Sequence, residues 1–166
     1  KKNLFRINKK INGQLNLSAE KIFSKRTLIS SLESRLIFMN GNILIEQLLL
    51  SLGKLGAADI TGVINNDKKY STLKFENNIF FDNFKRFYNK FGIFNKEKTS
   101  TNLFISGNLD LMNLRLRLNE ISKDEKFSDE DIAYFENKFN DILLEGGYAS
   151  LFNFLNLKNF IGSITE

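Results

Sequence analysis

The sequence predicts an α+β fold that is mostly β: a long antiparallel meander forming a curved open sheet, with amphipathic helices and a helical C-terminal third. Three observations predict it. Apolar residues recur at every second position through most of residues 11–119, the period of a half-buried strand. Asn40-Gly41 sits between two such runs, and a tight hairpin turn needs two residues that accept positive φ. Helical spacing appears only near residue 84 and again after Ser128. Residues 1–122 are therefore read as a long-stranded curved sheet with a short helix near 82–92, and 123–166 as a helical segment that packs on or caps it.

The strands can be taken in order. Ile11, Gly13, Leu15 and Leu17 alternate with Asn12, Gln14, Asn16 and Ser18. Leu28, Ser30, Leu32, Ser34, Leu36 and Phe38 share the next face, and after Asn40-Gly41 the returning strand opens with Ile43 and Ile45. Parity is confused at Leu48-Leu49-Leu50, which fits either a strand covered on both faces or a bulge. Gly53 and Gly56 punctuate a turn. Ala58, Ile60, Gly62 and Ile64 then alternate, and Asn65 to Lys69 is a polar turn. Tyr70 to Phe80 is a strand with Leu73, Phe75 and Ile79 inward.

Asp82 can cap a short helix in which Phe84, Phe87, Tyr88 and Phe91 fall at i, i+3, i+4 and i+7, with Gly92 ending it. Lys96 to Ser100 is a polar loop. From Thr101 to Asn119 the pattern predicts one strand of 19 residues. Leu103, Ile105, Gly107, Leu109 and Leu111 hold one parity and Leu114, Leu116 and Leu118 the other, so a bulge is expected near Met112-Asn113. Such a strand would reach about 60 Å. Ser128-Asp129-Glu130-Asp131 reads as a capped helix start with acids at the positive end of the dipole. Ile132, Phe135, Phe139, Ile142 and Leu143 form that helix's apolar stripe, Gly146-Gly147 ends it, and Ser150 to Ile164 is read as a second helix.

Composition narrows the chemistry. The 166 residues suit one domain and contain 17 Phe but no Trp, Pro, Cys or His. The 22 Asn and the many Lys read as a codon bias of an AT-rich genome and are given no special weight. Without Cys there is no disulfide, thiolate chemistry or Cys-ligated zinc. Without His the commonest general base and metal ligand is missing, and with it every Ser-His-Asp or Cys-His arrangement. The chain is expected to be non-enzymatic, with no metal and no cofactor. No window holds 18 uninterrupted apolar residues, so no transmembrane helix is expected. The start at Lys1-Lys2-Asn3-Leu4, without Met or a signal pattern, reads as a piece of a longer protein, with any anchor or targeting segment outside it.

Charged and Gly-rich clusters have structural explanations. Residues 1–35 carry nine Lys/Arg and two acids, which a solvated strand face with guarded edges accounts for. Asp129, Glu130 and Asp131 belong at a helix start, Asp124 and Glu125 in a loop, and neither group has EF-hand spacing. Gly53-Lys54-Leu55-Gly56 lacks the Lys-Ser/Thr ending of a phosphate loop and reads as a turn. Phe84 to Phe91 interleaves aromatics and cations, but on opposite stripes of one helix. Covering a sheet or groove explains that pattern, ahead of a membrane surface or nucleic acid.

Few helices are set against much alternating strand, so part of the apolar sheet face needs another cover: a further segment of chain or an apolar ligand. The strand signature Asn12-Gly13-Gln14-Leu15-Asn16-Leu17 resembles the repeated Gly-x-Leu-x-Leu strands of the AsmA-like family. So do Asn40 to Ile45, Gly56 to Gly62 and Leu103 to Leu111. The resemblance covers about residues 10–120 and excludes the helical end. It implies a periplasmic segment of a protein tethered to the inner membrane of a Gram-negative-type bacterium. It further implies a taco-like sheet whose apolar groove takes part in phospholipid transport and outer-membrane homeostasis. On this reading the groove is lined by Leu15, Leu17, Leu36, Phe38, Ile43, Ile45, Leu103, Ile105, Leu109 and Leu111. The helix bearing Phe84, Phe87, Tyr88 and Phe91 covers it. Expected partners are phospholipid acyl chains, flanking segments of the parent chain, and the membrane through the external anchor. The alternative is a structural module whose same face packs on the parent protein without ligand. Nucleic-acid binding is a distant third.

Overall fold

A computed structural model describes residues 6–23, 28–66, 70–93, 100–123, 125–147, 155–156 and 158–159. They form one seven-stranded antiparallel meander in which every strand pairs with its neighbours in sequence. The strands are β1 (Gly13–Ala19), β2 (Ser31–Met39), β3 (Asn42–Ser51), β4 (Gly56–Asn66), β5 (Ser71–Phe81), β6 (Thr101–Asp110) and β7 (Arg115–Ser122). A 3-10 turn, Gly53–Leu55, links β3 to β4. Helix α1 (Phe84–Lys90) lies between β5 and β6, and α2 (Asp129–Gly146) follows β7.

The expected fold class therefore stands: an open curved sheet with two helices among the described residues, the longer one in the C-terminal third. The Asn40-Gly41 hairpin has the predicted backbone, with φ of 53° and 84°. The confused parity in β3 resolves as a bulge between Ile45 and Leu48, where the register shifts against both neighbours. Two residues there oppose one, so Leu48 and Leu50 return to the face of Ile43 and Ile45.

The 19-residue strand is a correction. Residues 101–119 belong to two strands, β6 and β7, joined by a turn at 111–114. The parity change at Met112-Asn113 is this reversal and not a bulge. Asp110 closes the turn: its carboxylate accepts from the backbone N–H of Met112 (2.9 Å) and Asn113 (3.0 Å) and from the Asn113 side chain (2.8 Å). Leu114 takes φ of 56°, a conformation usually left to Gly or Asn, so the sequence carries no glycine signal for this turn. The longest strands are then 11 residues, about 36 Å, not about 60 Å.

Helix starts show one further difference. Asn83, not Asp82, caps α1, accepting from the Arg86 N–H through its side chain. Gly92 follows the helix with φ of 71°, as a terminating glycine does. Ser128 caps α2 by accepting from the Asp131 N–H, with the three acids in its first turn. The predicted helix at 150–164 lies almost wholly outside the described residues, as do Asp67 to Lys69 of one polar turn and Lys96 to Thr99 of another.

Candidate functional site: a register-matched apolar face

Strand pairing places nine of the ten candidate groove residues on one face; the tenth, Leu111, lies in the turn after β6 and is buried with Ile43 and Ile64. Leu15 faces Leu36, which faces Ile45, and the row continues through Gly62, Phe75 and Gly107 to Leu118. The neighbouring row runs Phe38, Ile43, Ile64, Leu73, Leu109 and Leu116. On the other side lies Leu17, Ser34, Leu48, Ile60, Asn77, Ile105 and Ile121. The last row is Ala19, Leu32, Leu50, Ala58, Ile79 and Leu103. No charged residue occurs in these four rows; Ser34 and Asn77 are their polar members. A second bulge, between the Ser106–Glu120 and Gly107–Leu118 pairs, brings Ile121 onto the same face as Leu116 and Leu118. The two bulges thus keep the face apolar where a straight register would have inverted it.

The opposite face is mainly polar, carrying Asn16, Arg35, Glu46, Thr61, Lys74, Glu76 and Arg117. Arg35 and Glu46 pair at 3.3 Å in solvent, a contact that contributes little stability.

Cover over the apolar face is uneven. Ile43 and Leu111 are buried. Leu36, Phe38, Ile45, Leu103, Ile105 and Leu109 are half-buried, while Leu15 and Leu17 are 40% and 46% exposed. At one end Ile7 packs on the Ile43, Ile64 and Leu111 cluster. The polar ties there run from turn to turn. Asn12 accepts from the Asn40 N–H, Asn42 accepts from the Asn66 N–H, and the Asn66 amide donates to the Gly41 carbonyl.

At the other end sits α1. Tyr88 and Phe91 are buried among Phe84, Phe87, Leu28 and Ile93. Phe81 of β5 meets Phe84 and Phe87 with ring centroids at 5.0 and 4.6 Å. The four candidate covering aromatics are thus brought together, and what they cover is the end of the sheet beside the 3-10 turn. Next to them an open cavity of about 270 Å³ is lined by Ile22, Leu28, Leu52 and Leu55, with Lys54 and Lys90 among its walls.

Two features were not read from the sequence. Phe75 lies over Gly107, and a Cβ at Gly107 would stand 3.3 Å from the ring tip and 2.5 Å from the Arg117 carbonyl oxygen. The alternation of Gly with Leu and Ile along β4 and β6 was the available signal. Asn77 sits mid-face between Ile60 and Ile105, and its side-chain oxygen is buried without a hydrogen-bond partner. Among the described residues Asp110 has a perturbed pKa: burial pushes it up, but the three hydrogen bonds from Asn113 and Met112 outweigh this and hold it below the ordinary carboxylate range.

The free edge of β7 is covered by α2. Asn140 binds Leu116 at both backbone groups: the N–H donates to its side-chain oxygen (2.7 Å) and its amide donates to the carbonyl (3.0 Å). One turn earlier, Glu136 accepts from the Leu118 N–H at 2.9 Å. Four helical residues rise about 6 Å and two strand residues about 6.8 Å, so the two elements match in step. Ile132 and Leu143 are the buried anchors of the helix.

Among the described residues no helix is long and apolar enough to cross a membrane. No group of His, Cys, Asp or Glu among them is arranged to hold a metal ion. Comparison with protein-family models, curated proteins and solved structures finds no match to this chain.

Proposed function

We propose that this chain is a periplasmic segment of an AsmA-like envelope protein, tethered to the inner membrane by a part outside these residues. Its apolar sheet face frames a groove for phospholipid acyl chains, serving lipid transport or outer-membrane homeostasis. The observation that carries the reading is the uncharged face, kept in register across seven strands by two bulges and left half-buried over much of its width. A sheet that only needed a core would gain nothing from half-exposed leucines at Leu15 and Leu17.

The mechanism is passive. Each acyl CH2 buried on the face contributes about 0.8 kcal/mol, and a face without charge has no ion to desolvate. Lys54 and Lys90, in the walls of the open cavity at the α1 end, suit an anionic headgroup. No bond is made or broken, in keeping with a chain that lacks His and Cys.

The competing reading fills the face with flanking protein. Mass spectrometry of organic extracts from the purified protein separates the two. The groove reading expects co-purifying phospholipid in fixed proportion to protein, and uptake from vesicles after delipidation. Protein that is lipid-free as isolated and takes up none would overturn it in favour of protein–protein packing.

A further inference from the structure

The two edges of the sheet are finished differently. The β7 edge is closed by Asn140 and Glu136 of α2, as described. Among the described residues β1 lies at the other edge and pairs on one side, with β2. Edge strands are usually blunted by charge, proline or a bulge. Gly13–Ala19 contains no charged residue and no proline, and its register against β2 is unbroken. Apolar exposure gathers here too: Ile11 is 53% exposed and Phe23 88%, beside Leu15 and Leu17.

The strand is also palindromic in chemistry. About Asn16 it reads Leu15 and Leu17, then Gln14 and Ser18, then Gly13 and Ala19: Leu, polar, small on either side. A two-fold axis at Asn16 pairs each residue before it with the one equally far after it on the other copy, so this symmetry sets like chemistry against like. We propose that β1 is an interface between two copies of this chain, pairing antiparallel through a two-fold axis at Asn16 and joining the two sheets into one.

In that register Leu15 of each copy faces Leu17 of the other on the apolar face, and Asn16 faces Asn16 on the polar face. Odd residues meet odd and even meet even, so every residue whose N–H and C=O point off the edge meets another such residue. A seven-residue strand pair is a small interface, so association is reversible and concentration-dependent. The proposal concerns the strand edge and does not rest on lipid binding.

The absence of Cys makes the test clean, since any introduced thiol is unique. Across the axis, Cα atoms at position 16 lie about 4.5–5.5 Å apart, within disulfide reach. Two copies of position 14 lie about 13 Å apart, beyond it. Under mild oxidation Asn16→Cys should form disulfide dimers at least tenfold faster than Gln14→Cys or the central-strand control Lys74→Cys. Mixed Gln14→Cys and Ser18→Cys proteins should crosslink to each other. By sedimentation velocity the unmodified protein should shift from monomer to dimer as concentration rises, and Asn16→Lys, which sets two cations on the axis, should abolish the shift. A monomer at all concentrations with no preferential Asn16→Cys crosslink overturns the proposal. So does a dimer that survives Asn16→Lys or that crosslinks equally through position 14.

Discussion

Glycines 62 and 107 sit where neighbouring strands approach closely inside the sheet. A Cβ at either would stand 2.5 Å from a backbone oxygen of the next strand, that of Lys74 or Arg117. Neither position needs positive φ; both need space, and Phe75 lies between them in the row. Gly62→Ala and Gly107→Ala should each cost about 2 kcal/mol by urea unfolding, while Gly13→Ala, with nothing within 4 Å, should be near neutral. Equal effects at all three would mean that chain entropy and not crowding is being measured. Asp110 acts at the same scale. Its carboxylate form receives three hydrogen bonds in the folded state and its pKa is lowered. Its contribution is therefore complete above about pH 4 and is lost as pH falls through the lower folded value. Asp110→Ala should destabilise by about 1 kcal/mol at neutral pH and flatten the acid limb of the stability curve; an unchanged limb would remove Asp110 from that role. Asparagine is where sequence reasoning failed most plainly. Read as a codon bias, Asn12, Asn42, Asn66 and Asn140 instead tie turns and an edge together. Their partners lie 24 to 28 residues away, beyond what a local pattern reveals.

Elements were legible where a period ran unbroken. The alternations of β2, β4 and β5, the Asn40-Gly41 hairpin and the stripe of α2 were all readable because each is a local preference agreeing with its burial, while β1 was readable from its alternation alone, its leucines being exposed. The β6–β7 hairpin was not, because its turn rests on Asp110 and a left-handed Leu114 in place of glycine. Its only trace was a parity slip, which a bulge explains equally well. The placement of α2 was also hidden. Asn140 beside Phe139, one turn after Glu136, was the clue, but its meaning needs the Leu116 backbone. That contact yields a prediction for the element. Asn140→Leu keeps the helix and its bulk but leaves the N–H and C=O of buried Leu116 without partners. It should cost at least about 2 kcal/mol in urea unfolding and speed hydrogen exchange at Leu116. Full stability with unchanged exchange would show that α2 is not what closes this edge.

Across the whole molecule, the candidate site was legible as a list of residues and hidden as a surface. Parity chose ten positions, and pairing set nine of them on one face with Leu48, Leu50, Leu116, Leu118 and Ile121; of these, Leu48, Leu50 and Ile121 reach it only through bulges that no single strand reveals. What lies over that face is the question on which the functional reading turns. Asn77, whose buried oxygen has no partner in the middle of it, gives one probe. Asn77→Leu should leave the fold stable or raise its stability by about 1 kcal/mol, as loss of an unsatisfied polar group does; marked destabilisation would mean that Asn77 has a partner in the folded protein. The most direct measurement places a photo-crosslinking amino acid at Ile105 and, separately, at Ser106. These half-buried neighbours on β6 point to opposite faces. In phospholipid vesicles or membranes, the groove reading predicts lipid adducts at position 105 and little labelling at 106. Equal labelling at the two positions, or protein adducts alone at 105, would contradict it.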